Sequence, residues 1–318
     1  MLVLLELLLS LATGPVLAQS YPTRPVQIVV AYAPGGGVDL AARLFAAELE
    51  RKLGQSFVVV NRPGALGTVG ATNVAHAQPD GHTLLLGYSS EIAIAPYLVS
   101  TAYSAQDFVP VVMAGETPLV LIGKKGLAPN NLADLITLFR AKPDDFTYAS
   151  TGPGSPANIA GELFKLQAKV ELRHVPYKGG GSQAVTDIAG GHADIFFSGM
   201  PPAVAFVRGG QVKAYAITGS VRSSALPEVP TMDEAGFPEF GLTAWFALFA
   251  PKGTNADIIE KLRTTLVDAL KAKGAQDSLA NLGIIPRPLA GAELQQFVDS
   301  ESTKYRKHIK ELGISIGK

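Results

Sequence analysis

The amino-acid sequence predicts an α/β protein made of two mostly parallel units. Three observations carry that prediction. Short, nearly continuous apolar runs recur between stretches of helical periodicity, the pattern of parallel strands covered on both faces and joined by helices. The length of 318 residues is about two domains at roughly 150 residues each. Hydrophobic residues are 47% and charged residues 17%, so burial can offset the ordering entropy and long disordered tails are not expected.

The first apolar run is Val26 to Tyr32. Leu40, Ala41, Leu44, Phe45, Ala47, Leu49 and Leu53 then form the apolar face of a helix, which Gly54 stops. Phe57 to Val60, Thr83 to Tyr88 (entered through an Asp80-Gly81 turn) and Leu119 to Gly123 are the next strands. A second series alternates helix Leu132 to Ala141, strand Phe146 to Ser150, helix Ala157 to Ala168, strand Leu172 to Val175 and helix Gln183 to Ala189. Strands Ala193 to Ser198, Val212 to Thr218 and Leu242 to Ala250 follow. Thr254 is placed as the N-cap of a helix through Lys271, and a last helix covers Ala292 to Leu312. The lone tryptophan, Trp245, is assigned to core packing near a domain crossing.

Met1 to Ala18 reads as a secretory signal peptide, with an apolar stretch from Leu2 to Leu11 and Val16-Leu17-Ala18 fitting a cleavage site before Gln19. The alternative is an apolar N-terminal core helix, because Met1 to Ser20 carries Glu6 and no Lys or Arg. The apolar run is shorter than the roughly 20 residues that span a bilayer. Lys plus Arg and Asp plus Glu number 27 each, so the basic excess of a nucleic-acid binder is missing. With no cysteine, disulfides, thiolate metal sites and cysteine nucleophiles are excluded.

Three glycine-rich loops stand between strands and helices: Ala33-Pro34-Gly35-Gly36-Gly37-Val38-Asp39, Thr151-Gly152-Pro153-Gly154-Ser155-Pro156, and Tyr177-Lys178-Gly179-Gly180-Gly181-Ser182. Such loops expose amides at positive helix ends, and their division between two units suggests two half-sites around one anion. Gly36 is expected to permit close approach of a ligand and an unusual φ. The second loop also matches a G-x-G-x-x-A dinucleotide fingerprint, but Pro153 and Pro156 remove amides and no acidic residue ends the next strand. A G-x-S-x-G elbow, a Walker A loop and metal-type spacing of His76, His82, His174, His192 and His308 are all absent from the sequence. No cofactor or metal is expected.

The order and spacing of several motifs carry a resemblance: Tyr21-Pro22-Thr23-Arg24-Pro25, Ala33 to Gly37, Asn61-Arg62-Pro63-Gly64-Ala65, Pro79-Asp80-Gly81, Tyr148-Ala149-Ser150, Gly161-Glu162-Leu163-Phe164, His174-Val175-Pro176-Tyr177-Lys178-Gly179, Leu226-Pro227-Glu228-Val229-Pro230-Thr231 and Ala250-Pro251. Together they resemble the solute-binding receptors of tripartite tricarboxylate transporters, the Bug receptors, across essentially the whole mature chain. The resemblance implies a type II periplasmic binding-protein fold, with a ligand cleft between domain I (22–123 plus 244–318) and domain II (124–243). It implies a monomeric periplasmic receptor that closes on a small organic carboxylate and delivers it to membrane transport subunits or a sensor. Nucleic acid is not an expected partner. A catalytic α/β protein acting on a small anionic substrate is the alternative.

Carried over position by position, the resemblance points to Pro34, Gly35, Gly36, Gly37, Asp39, Ser89, Ser90, Ser150, Thr151, Gly152, Gly154, Ser155, Asn158, Tyr177, Lys178, Gly179, Gly180 and Ser198 as ligand-binding residues. Three positions depart from the family pattern. Val38 stands where Thr or Ser is common, Asn158 where many relatives carry His, and Ser198 where many carry Asp. The loss of an Asp at 198 disfavours an amino acid, whose ammonium group needs an acceptor, unless Asp39, Glu91 or Asp194 reaches the cleft.

Overall fold

A computed structural model describes residues 21–177, 180–238 and 240–315. Met1 to Ala18, which the sequence reads as a signal peptide, and Lys178 and Gly179 lie outside the described residues. In chain order the elements are β1 (Val26–Val30), α1 (Gly37–Leu53), β2 (Phe57–Asn61), α2 (Thr68–Ala75), β3 (Thr83–Tyr88), α3 (Ala95–Leu98) and β4 (Phe108–Lys124). Next come α4 (Leu132–Ala141), β5 (Thr147–Ser150), α5 (Pro156–Ala168), β6 (Arg173–Pro176), α6 (Gly180–Ala189), β7 (Ile195–Gly199), α7 (Met200–Arg208) and β8 (Val212–Ile217). The chain ends through β9 (Thr243–Pro251), α8 (Ala256–Lys271), α9 (Lys273–Asn281), β10 (Ile285–Pro286) and α10 (Gly291–Glu311).

The strands run β2-β1-β3-β9-β4-β7-β5-β6, with β8 and β10 both pairing β4. Strand β4 belongs to both halves of this sheet. It pairs antiparallel with β9 as far as Pro118↔Thr243, and with β7 from Leu119↔Gly199 onward. The partner changes between Pro118 and Leu119. In β1, Ile28 and Val30 join Phe45, Leu49, Leu262 and Leu266 on one face, whereas Val29 joins the cluster on the other. Both faces are covered, which is why the run reads as continuous rather than alternating.

Sequence patterning misses the first part of β4, because Pro110, Gly115 and Pro118 look like breakers. The strand absorbs them with register shifts between Pro110 and Val112 and between Met113 and Gly115. Helix α7 is hidden by Pro201 and Pro202, but these fall in its first turn, where their missing amides cost no helical bond. The N-cap of α8 is Asn255, whose side chain accepts from the Asp257 amide, and not Thr254, whose hydroxyl instead donates to the Pro251 carbonyl at 2.8 Å. The C-cap of α1 is Gly54 at φ 69°, as its sequence position predicts. Trp245 is fully buried against Phe249 and Phe297.

The two crossings between the halves are tied by one buried side chain. Thr218, just beyond β8, accepts a hydrogen bond from the Leu119 amide at 2.9 Å and donates to the Leu242 carbonyl. Replacing Thr218 with Val keeps the volume but leaves both backbone groups without that partner. The expected loss is about 1–3 kcal/mol, read by urea denaturation, and a stability equal to wild type would show that the crossings do not depend on this bridge.

Candidate functional site

The cleft opens where the carboxyl ends of β1 and β3 face those of β5 and β7. After β1 the chain crosses to β2 on one side, and β3 lies on the other; β5 stands in the same way between β6 and β7. Open α/β sheets hold ligands at such switch points. The cleft contains about 730 Å³, counting its open mouth. Tyr32, Ala33, Pro34, Gly36, Gly37, Val38 and Tyr88 line it from the first half. Thr151, Pro156, Ala157, Gly180 to Ser182, Phe196, Phe197, Gly199, Pro201 and Pro202 line it from the second. The shared strands β4 and β9 contribute Thr117, Leu119 and Phe246.

The first glycine loop is shaped by Asp39. Its carboxylate, almost fully buried, receives the Gly35 amide at 3.0 Å, the Asn61 side-chain amide at 3.0 Å and two bonds from Arg43. Burial opposes its charge, but the bonds from Arg43, Gly35 and Asn61 outweigh that and hold the Asp39 pKa below the ordinary value. Asp39 therefore organises the loop from behind, and it takes the Gly35 amide for itself. The left-handed residue is Gly35, at φ 82°, whereas Gly36 is ordinary extended backbone at φ −79°, which corrects the expectation of an unusual φ there. Gly36 caps α1 without a side chain, so the first amides of that helix have no internal side-chain acceptor and lie at the cleft.

The second loop has the same sequence character and a different outcome. Ser155 accepts from the Asn158 amide at 3.2 Å, and Asn158 Oδ1 accepts from the Gly154 amide at 2.8 Å. The Asn158 amide in the first turn of α5 and the Gly154 amide before it are thus satisfied by local side chains. Asn158 also donates to the Tyr148 hydroxyl, which in turn donates to Glu162, and Gly161 leaves room for the Tyr148 ring. Ser150 is fully buried; its hydroxyl meets His174 Nε2 at 2.6 Å and both backbone groups of Gly152, at 3.0 and 3.1 Å. Of this loop Thr151 and Pro156 are among the cleft-lining residues; Ser150, Gly152, Gly154, Ser155 and Asn158 are not.

The third loop brings Gly180 to the cleft, while Tyr177 packs into the core of the second half. Ser198 is buried in β7, where its hydroxyl donates to the Gly199 carbonyl at 2.9 Å. Ser89 and Ser90 are buried behind the wall. Asp194 is bound to Lys124 at 2.6 Å and to Thr147, and none of Asp39, Glu91 and Asp194 lines the cleft. The halves touch across it: Ser182 donates to the Gly35 carbonyl at 3.0 Å, and a Cβ on Gly37 would sit 3.1 Å from Pro201.

Sequence reasoning missed Tyr32, Tyr88, Thr117, Ser182, Pro201, Pro202 and the phenylalanines 196, 197 and 246. The two tyrosines had a readable signal, since each closes an apolar run at the end of a strand that feeds a loop. Behind them lies Glu91, fully buried, which accepts from the Tyr32 hydroxyl at 2.6 Å and the Tyr88 amide at 2.7 Å. Burial dominates, and its pKa is pushed up to about 8 despite those bonds.

Two-lobed α/β chains with a ligand cleft of this kind form the class of periplasmic binding proteins, and the solved structures agree. The protein of Rhodopseudomonas palustris described as Rpa4515 with adipate superimposes with a TM-score of 0.89 at 33% identity, covering 93% of this chain and 99% of that one. MatC of the same organism, with bound malate, gives 0.84 at 36% identity, covering 91% and 100%. Among curated relatives, BugT of Bordetella pertussis is 38% identical over 306 residues, 95% of this chain and 94% of BugT. The model of the tripartite tricarboxylate transporter family receptor matches residues 41–314. The chain belongs to that family.

A buried acid whose pKa rises on folding binds more protons in the folded than in the unfolded state at intermediate pH. Its contribution to stability is therefore present at low pH and is lost as pH rises from the ordinary carboxylate range towards about 8. Chemical denaturation of wild type should show stability falling across that window by up to about 1.4 kcal/mol per pH unit relative to Glu91→Gln. Parallel pH profiles for the two proteins would contradict the assignment.

Proposed function

We propose that the chain is an exported, extracytoplasmic receptor that captures a small organic carboxylate between its halves and delivers it to membrane transport subunits or a sensor. The halves are those read from the sequence, 22–123 with 244–318 and 124–243, with the first crossing drawn back to Pro118/Leu119, where β4 changes partner, and they act as one monomer. The observation that carries the reading is the side-chain-free start of α1, facing Thr151 and Gly180 across one cleft. Amides at a helix start stabilise a carboxylate without a cation. Its solved relatives are described with adipate and malate. Among the described residues no helix is long and apolar enough to cross a membrane.

A binding role is favoured over catalysis by a nucleophile-like pair among the described residues of the second half. Ser150 and His174 are in contact, but the Ser150 hydroxyl is buried against its own loop and does not line the cleft. In the proposed site, Pro34, Gly36, Gly37, Val38, Thr151 and Gly180 contact the ligand, and Gly35 shapes the loop through Asp39 and Ser182. Ser150, Gly152, Gly154, Ser155, Asn158, Tyr177 and Ser198 support the loops, as do Asp39, Ser89 and Ser90.

Gly36→Val tests the reading. A Cβ there meets only the Ala33 carbonyl, at 3.8 Å, so the side chain projects into free space and the fold should hold. Calorimetry with a panel of carboxylates should show at least tenfold weaker binding with an intact thermal transition; wild-type affinity would remove this loop from the site. Ligands should be recovered chemically unchanged, and a converted product would favour the catalytic alternative. N-terminal sequencing of the exported protein should begin near Gln19.

A further inference from the structure

We propose that the carboxylate this cleft selects carries a flat, apolar body, of the benzoate or phenylacetate kind, in preference to compact, polar di- or tricarboxylates. The inference rests on the receptor reading above and deepens it. Its first support is the wall. The Tyr88 ring stacks on Phe246, with centroids 5.4 Å apart and planes 23° apart, and Tyr32 meets Tyr88 edge-on at 5.5 Å. Phe196, Phe197, Pro156, Pro201 and Pro202 line the cleft from the other half. A planar ring gains both apolar burial and offset or edge contacts in such a slot, whereas the short polar chain of malate gains neither.

The second support is the polar inventory. Among the described residues lining the cleft there is no Asp, Glu, Lys, Arg or His. Most side-chain hydroxyls are already engaged. Thr117 donates to backbone carbonyls of Pro118 and Gly283, Ser182 to Gly35, and Tyr32 to Glu91. What remains for an anion is uncharged: the starts of α1 and α6 with the hydroxyls of Thr151 and Tyr88. An acid with several carboxylates would have to be desolvated against these neutral donors alone, a cost that rises with each added charge and that an apolar ring does not meet.

The third support is rigidity. Glu91 grips Tyr32 through its hydroxyl and Tyr88 through its backbone, so both aromatic walls hang on one buried carboxyl. Gly67, at φ 86°, makes this possible: a Cβ there would lie 2.8 Å from the Glu91 carboxyl and 2.9 Å from the Tyr32 hydroxyl. A wall fixed before binding favours a rigid, flat ligand, since neither partner then loses much freedom on association.

Titration calorimetry on the mature chain with benzoate, phenylacetate, succinate, malate, adipate and citrate decides the matter. The aromatic monocarboxylates should bind at least tenfold tighter than succinate, malate and citrate. Tyr88→Leu should narrow that ratio at least threefold, and Tyr88→Phe should retain it, each with a cooperative thermal transition. Succinate, malate or citrate binding as tightly as benzoate would overturn the proposal and leave the receptor reading intact. Heat exchange with none of the six would overturn the receptor reading as well.

Discussion

Everything in this molecule hangs on β4, a strand of 17 residues that is part of both halves of the sheet. Its pairing with β9 stops at Pro118 and its pairing with β7 begins one residue later, so the backbone passes from one unit to the other without leaving β geometry. Proline at that point has no amide to donate and suits a position where the ladder changes partner. Thr117 and Leu119, on either side, line the cleft, and Leu119 is tied through Thr218 to Leu242 on the returning crossing. The place where the chain crosses between the halves is thus also part of the cleft lining. A ligand that touches both halves then biases their relative position directly, because only differential contact with the two arrangements can shift their balance.

The electrostatic design is one of charges kept behind the wall. Asp39 with Arg43, Asp194 with Lys124, and Glu162 with Lys165 are each paired, and all three acids accept further bonds from backbone or neutral side chains. Glu91 is paired with no cation among the described residues, and burial pushes its pKa up. Asp39 holds a loop and Glu91 two tyrosines that line the cleft, and none of the four carboxyls lines it. Charge in the supporting layer and dipoles at the surface give an anion site that avoids the desolvation cost of a buried cation.

Much of the fold was legible because the strands of the first half are short apolar runs with clear stops, such as Val26 to Val30 before Ala33-Pro34 and α1 before Gly54. The early part of β4 and α7 were not, because proline reads as a breaker in sequence and is harmless at a bulged strand or in a first helical turn. The candidate site was legible in its loops and opaque in its walls. Glycines announce a backbone that must come close to something, whereas Phe196, Phe197 and Phe246 lie within apolar runs and nothing in a one-dimensional pattern separates a residue beneath a cleft from one in the core. Ser182 was equally silent, since its partner Gly35 is 147 positions away.

The three glycine loops show most clearly why a motif does not determine a site. Each joins a strand to a helix, and each offers amides at a helix start. In both the first and the second, the residue four places on, Asp39 or Asn158, takes the amide just before the cap, that of Gly35 or Gly154. The second has Ser155 at the cap, whose hydroxyl takes the Asn158 amide inside the first turn, whereas the first has Gly36, which leaves the amides of that turn without a side-chain acceptor at the cleft. The difference lies in the one cap residue. Capping chemistry, rather than glycine content, decides which loop remains free to hold an anion.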